Sequence, residues 1–447
     1  MKADYKKYFK GKKVVVMGLD PNGRGLPDAT FLAKAGAIVI GTDLRQAKEL
    51  PGAVALAKKY KNFKLRLGEH RLADFAEADL VIRPASAPPG SPYIAEAVKN
   101  NVPIVSDETL FLHLAPKITT VGVTGTRGKS TVACLIYEIL KRDGRRVWLG
   151  GNVQKTSLLP FLEKVQAGDI VVMELDSWKL QSFGDNKLSP NIAVFTNLMV
   201  DHQNYYKDNM AAYFADKANI YRYQTTEDVL ITDQATKSLI TKNKFPAKAE
   251  KVIVKAGDMP SAWKTKLLGE HNKLNIAYAV AAARVLGVTE SVIKKAVESF
   301  VGLPGRMELV REVGGVKFYN DTNGTTPDAV LAALESLSKY HGKIILLGGG
   351  ADKNLDYSQY LKAVPKAVKA LILFKGAATE KIIAGLPKKG GLPVFVVESM
   401  AAAISLAAEQ MQKGDIVLLS PAAASFGVFK NEYDRGDQFV KLVKKLK

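Results

Sequence analysis

The chain has 447 residues, 47% of them hydrophobic and 24% charged, which excludes a disordered or fibrous protein and leaves room for about three cored domains. Its 64 lysines and arginines against 44 acidic residues give a net charge of +20, and its single cysteine, Cys134, excludes an intramolecular disulfide framework and fits a reducing cytoplasm. The apolar run at 14–19 is too short for an export signal and no run approaches a membrane span, so a cytoplasmic protein without a transmembrane segment is expected.

Lysines are spread over the whole length and gather on polar helix faces, as at 362–369 and 441–447, without the interleaved aromatics of single-strand binders. Nucleic acid is therefore not expected as a partner, whereas anionic small molecules would be drawn to such a field.

The first unit, 1–116, opens with KKVVVMGLDPNGRGL: a strand, a glycine-bearing turn and a helix near 26–35, then a second strand ending in Asp43. This is half of a dinucleotide-binding pattern, but Gly18, Gly23 and Gly25 do not fit the G-x-G-x-x-G spacing. Further strands are predicted at 80–83 and 103–106, separated by the turn-rich PASAPPGSP.

The second unit, 117–301, begins with a β-branched strand at 118–124, the loop TGTRGKST, and a helix over 131–142. Gly125 and Gly128 let backbone approach phosphate, Thr126 and Thr131 flank the turn, Lys129 adds a point charge, and Ser130 can reach a magnesium ion. Strict P-loop spacing wants glycine where Val123 stands, and the bland alternative is a glycine turn in an ordinary βα unit.

The strand at 170–173 ends in Glu174 and Asp176, the placement by which P-loop enzymes hold magnesium. The next, NIAVFTNL, delivers Asp201 and His202; beside Glu174 and Lys129, His202 reads as a metal contact rather than a structural imidazole. Lys217 lies on a helix over 210–221, where nothing local distinguishes it from a solvated lysine. His271, Asn272 and Asn275 open an alanine-rich helix, and amides there could read a base or ribose or merely cap the helix.

GLPGR at 302–306 starts the third unit, 302–447, where repeated strands followed by glycine-, serine- or asparagine-rich turns and helices indicate another α/β sheet. Asp321, Thr325, Lys353, Ser420 and Ser425 fall at strand carboxyl ends, where open sheets bind ligands.

VTGTRGKST, ELDSW, NLMVDH, GEHNKLN, LPGRMELV, YNDTNGTTPDA, LLGGGADKNLDY and LLSPAAASFGVFKNEYDRGDQF stand in the order and spacing of the Mur ligases, and the chain resembles that family over its whole length. The last three motifs look most like members that add D-glutamate to UDP-N-acetylmuramoyl-L-alanine. The resemblance implies an α/β fold of three domains: an N-terminal Rossmann-like domain for the UDP substrate, a central P-loop ATPase-type domain, and a C-terminal Rossmann-like domain for the amino acid. It implies an ATP-dependent ligase of peptidoglycan precursor synthesis, working through an acyl phosphate with two Mg2+ ions, and a monomer is expected.

Residue by residue, the resemblance assigns Gly125, Thr126, Gly128, Lys129, Ser130, Thr131, Asn275, Arg306 and Asp321 to ATP, and Ser130, Glu174, His202 and Lys217 to the metal sites, with Lys217 carbamylated. Lys129, His202 and Lys217 would serve catalysis. Arg45, Asn152 and His202 would contact the UDP substrate, and Thr325, Lys353 and Ser425 the glutamate.

The chain departs from the family pattern at Arg127, where asparagine is usual, at Asp176 in ELDSW, and in the continuation DHQNYY. Leu44 replaces a common hydroxyl residue, Asn323 stands where lysine is common, and Glu432 where an aromatic is common, which leaves open L-glutamate or another amino acid as the substrate. Two other classes also remain: a nicotinamide-dependent oxidoreductase, which leaves the phosphate loop without a task, and a non-ligase P-loop nucleotide- or nucleic-acid-binding protein.

Overall fold

The computed structural model describes residues 4–20, 23–84, 87, 90–153, 157–201, 203–243, 245–387 and 391–446. The chain is α/β and forms two compact bodies, Met1–Trp263 with Leu274–Val297, and Lys264–Lys273 with Glu298–Lys447. The first carries two parallel sheets.

Strands β1 (Lys13–Met17), β2 (Ile38–Asp43), β3 (Phe63–Leu67), β4 (Leu80–Ile82) and β5 (Ile104–Val105) make a five-stranded sheet of order β3-β2-β1-β4-β5. Valines 14–16 are fully buried, as expected for a parallel strand covered on both faces. The fingerprint spacing is not met, yet its close approach is: a β-carbon at Gly25, the first residue of helix Gly25–Lys34, would collide with the carbonyl of Gly18. Glycine is required there because strand turn and helix share the same space.

The second sheet contains β6 (Thr119–Thr124), β7 (Val147–Gly151), β8 (Ile170–Glu174), β9 (Ile192–Phe195), β10 (Val229–Asp233) and β11 (Glu250–Val254) in the order β11-β10-β9-β6-β8-β7. Every pairing is parallel. The chain leaves β6 toward β7 and β8 on one side and returns to β9 on the other, so the carboxyl end of β6 is a topological switch point. Glu174 is the last residue of β8 and lies in register with Val123. Apolar residues of both sheets and their helices, such as Phe31 and Phe183, join one core.

The second body contains β12 (Glu308–Val313), β13 (Val316–Asn320), β14 (Ile344–Gly349), β15 (Val368–Phe374), β16 (Val394–Val397) and β17 (Ile416–Leu419), ordered β12-β13-β17-β14-β15-β16. The strand–turn–helix expectation fails at its start. β12 and β13 form an antiparallel hairpin, turned by Gly314 and Gly315 at φ of 58° and 78°. Two consecutive positive φ values are what a tight hairpin needs, and the Gly-Gly pair was the available signal. β3, β7, β10 and β11 also go beyond the strands read from the sequence.

Helix Glu432–Val443 covers β12 and β13, and its Arg435 is fully buried. The guanidinium donates to the Thr322 hydroxyl at 3.0 Å, the Thr322 carbonyl at 2.9 Å and the Ala423 carbonyl at 3.4 Å. Burial pulls its pKa down to about 10, the cost of a cation held mainly by neutral oxygens. Arg435→Ala would leave those oxygens unpaired around a cavity and is expected to destabilise the second body by about 3 kcal/mol, read as a lower urea midpoint; an unchanged midpoint would show the anchor to be dispensable.

Candidate phosphate and metal site

The phosphate loop leaves β6 through Gly125 (φ 141°) and enters helix Lys129–Arg142 through Gly128 (φ 85°). Neighbouring strand β9 holds it open. Asn197 accepts from the Thr126 amide at 3.1 Å and the Arg127 amide at 2.9 Å through one side-chain oxygen, and donates to the Arg127 carbonyl at 3.1 Å. The Thr196 hydroxyl donates to the same carbonyl at 2.7 Å, and Tyr278 anchors Thr196 from behind at 2.6 Å. A β-carbon at Gly128 would collide with the amide of Asn275, which places Asn275 directly against the loop. Thr196 and Asn197 escaped the sequence reading, although both lie at a strand end beside the loop strand.

Arg127 extends to Asp201 at 3.8 Å, a pairing both partners make while partly solvated. Ser130 and Thr131 are half-buried on the first turn of the helix. Lys129 folds back, donating to the carbonyls of Gly125 at 2.9 Å and Thr126 at 3.0 Å.

Lys217, on helix Met210–Arg222, is buried and donates to the same Gly125 carbonyl at 2.9 Å, with the Tyr213 ring 4.8 Å away. Burial and then the Lys129 charge push its pKa well down, against the pull of Asp176, Asp201 and Glu174. Burial thus disfavours the protonated form of the Lys217 amine. The bland placement read from the sequence gives way to a buried amine at the phosphate loop.

Among the described residues, no group of three or more His, Cys, Asp and Glu side chains forms a ready-made metal cluster. His202 lies outside the described residues. The donors that are described nonetheless suit a hard cation: a buried carboxylate at Glu174, a hydroxyl at the helix N-terminus, and a buried amine that conversion to a carbamate would make anionic.

In the first sheet, Asp43 accepts from the Leu19 amide at 2.7 Å and from Arg45 at 3.0 and 2.8 Å. Burial raises its pKa, but these bonds outweigh that and hold the carboxyl down at about 2. Asp43 is thus committed to presenting Leu19 and the part-exposed Arg45. Asn152 follows β7, and its amide N–H donates to the Glu174 carbonyl at 2.9 Å, which places it beside the candidate metal site.

In the second body, Asp321 follows β13 and accepts from Ser420 at 2.7 Å and the Met307 amide at 3.1 Å, while burial raises its pKa to about 6. Arg306 is exposed on the preceding turn. Lys353 donates to Thr325 at 2.9 Å, and a bridge between Ala351 and Ala424 brings the buried Ser425 into the same loop cluster at the sheet's switch point. Asn323 lies against Gly305 as part of the turn. The Asn272 side chain donates to the Leu268 carbonyl at 2.7 Å.

Residues 123–259 match the model of the Mur ligase middle domain, and residues 305–423 match the Mur ligase, glutamate ligase domain. The UDP-N-acetylmuramoylalanine–D-glutamate ligase of Borreliella afzelii is 36% identical, over 97% of this chain and 98% of the relative. That of Roseiflexus sp. is 35% identical, over 97% and 98%. In fold, the chain is similar to UDP-N-acetylmuramate-alanine ligase MurC of Thermotoga maritima (TM-score 0.62, 19% identity, 98% and 100% covered). The MurF ligase of the same organism, solved with ADP, gives a TM-score of 0.60 at 17% identity, with 98% and 96% covered. The chain belongs to the Mur ligase family.

Because Asn197 alone bonds two amides and a carbonyl of the loop, Asn197→Ala should raise the KM for ATP about tenfold without changing the fold, measured by ADP release and circular dichroism. An unchanged KM would mean that the glycines shape the loop unaided.

Proposed function

We propose that this chain is an ATP-dependent ligase that joins D-glutamate to UDP-N-acetylmuramoyl-L-alanine in peptidoglycan precursor synthesis. The observation that carries this reading is the pair of lysines, Lys129 and Lys217, meeting on the Gly125 carbonyl beside Glu174. The relatives, named for this reaction and aligned over nearly the whole chain, supply the substrates.

The acceptor carboxylate attacks the γ-phosphorus of ATP, ADP leaves, and an acyl phosphate forms. The amino group of D-glutamate then attacks the acyl carbon, phosphate departs with the bonding pair, and the amine proton is lost as the amide forms. The first step brings anions together, and the loop amides, the helix N-terminus and Lys129 offset that repulsion. Lys129 leaves its two carbonyls to do so. Asn275 and Ser130 flank the nucleotide's phosphates; Arg306 and Asp321 contact the rest of ATP. Thr325, Lys353 and Ser425 hold the glutamate, and Arg45 and Asn152 the UDP substrate.

Ser130, Glu174, His202 and Lys217 would hold two Mg2+ ions, which supply charge neutralisation between carboxylate and phosphate. For Lys217 the route is chemically plain. The unprotonated form of its amine would attack the carbon of CO2, form an N–C bond and release one proton, which leaves an anion where a protonated lysine would repel cations. The carbamate would also attract the Lys129 ammonium, which a protonated Lys217 would repel.

Among the described residues, no helix is long and apolar enough to cross a membrane. A cytoplasmic, monomeric enzyme of three domains, 1–116, 117–301 and 302–447, completes the proposal.

The test is ATP-dependent ligation of UDP-N-acetylmuramoyl-L-alanine with each amino acid in both enantiomers, read by mass. D-Glutamate alone should give product; turnover only with another amino acid would reassign the substrate, and none at all would sink the ligase reading. Lys129→Ala and Glu174→Ala should each lower kcat at least ~100-fold while the fold persists. With 13C-labelled bicarbonate, the wild type should show a carbamate carbon resonance that Lys217→Ala lacks.

A further inference from the structure

We infer that Arg24 and Asp176 are positioning residues that fix the side-chain amide of Asn152 in one orientation, so that it meets the acceptor substrate as a hydrogen-bond donor. The inference rests on the reading of Asn152 as an acceptor contact.

Asn152 is held from both sides. Its Oδ1 accepts from the Arg24 guanidinium at 2.8 Å, and its Nδ2 donates to Asp176 Oδ2 at 2.5 Å. Guanidinium nitrogens only donate and carboxylate oxygens accept, so a flipped amide would set donor against donor and acceptor against acceptor. Most asparagine amides can be turned over at little cost; this one cannot. Its second Nδ2 hydrogen has no partner among the described residues, and an oxygen acceptor on the substrate, a carboxylate or carbonyl, is what it can take.

The clamps are themselves anchored. Arg24 donates from its other terminal nitrogen to Glu108 at 2.5 Å and lies 3.4 Å from Asp107, both carboxylates being buried. Burial and the neighbouring Asp107 raise the Glu108 pKa well up, and Arg24 opposes that. Lys179 reaches the same Glu108 oxygen. Asp176 caps helix Ser177–Asp185, its other oxygen accepting from the Lys179 amide at 2.8 Å.

The chain beyond Asn152 is tied down too. Ser157 donates to Asp28 on helix Gly25–Lys34, and the Leu158 amide donates to Asp107 at 3.2 Å. Asn152 therefore sits in a frame built from both sheets of the first body, and Asp176, a departure from the family pattern, acquires a task.

Arg24→Lys keeps a cation for Glu108 and Asp107 but lacks the fork that serves Glu108 and Asn152 from separate nitrogens. Arg24→Met removes both. Steady-state kinetics should show the acceptor KM raised about tenfold in both variants, with the ATP KM unmoved and the Arg24→Lys melting temperature close to wild type. Asp176→Ser, which retains a helix cap, should raise the acceptor KM in the same way. A wild-type acceptor KM in Arg24→Lys would overturn the inference, even if Arg24→Met is impaired or unfolded, because the ion pair alone would then suffice. A wild-type protein inert toward the acceptor would instead defeat the function itself, and this inference with it.

Discussion

Two lysine amines share the carbonyl of Gly125, and the rest of the first body is arranged around that unfavourable meeting. A buried cation costs several kcal/mol unless it is paired, and two cannot stand side by side in a low-dielectric setting. The protein eases the conflict by disfavouring the proton on Lys217. Burial in helix Met210–Arg222 is the largest cause, and the Lys129 charge adds to it. The loop must meanwhile keep positive φ at Gly125 and Gly128, and Asn197, Thr196 and Asn275 hold it in that shape.

The topology explains why these groups converge. With β6 at the switch point, its carboxyl end is flanked by those of β8 and β9, which deliver Glu174 on one side and Thr196 and Asn197 on the other. The first sheet repeats the device at β1, where Leu19 and Arg45 are held by Asp43. The second body repeats it between β14 and β17, where Lys353 meets Thr325, Ser420 meets Asp321, and the Ala351–Ala424 bridge joins the loops.

Departures from the family pattern find physical partners. Arg127 pairs with Asp201, and Asp176 holds both a helix start and Asn152. Arg24 and Lys179 converge on Glu108, so that these three, with Asp107, form one buried set of charged residues drawn from three separate segments. Such a set is a poor source of net stability, since desolvation consumes most of the Coulomb gain, but it constrains geometry.

The phosphate loop, Glu174, the α/β class and three sheets were legible in the sequence because each depends on local order: a β-branched run, glycines at the turn, a helix after it. The hairpin of β12 and β13 was signalled by Gly314 and Gly315 but concealed by the strand–turn–helix rhythm around it. Lys217, Asn197 and the frame around Asn152 were not legible as chemistry, since a lysine on a helix and an asparagine after a strand look alike wherever they fall. The sequence by itself determined which backbone segments could cradle phosphate, because φ and hydrogen-bonding capacity are properties of the residues there. Only the tertiary structure decided which lysine is buried where its proton is disfavoured and which amide is pinned, because burial and partner charge arise when distant segments are brought within a few ångströms.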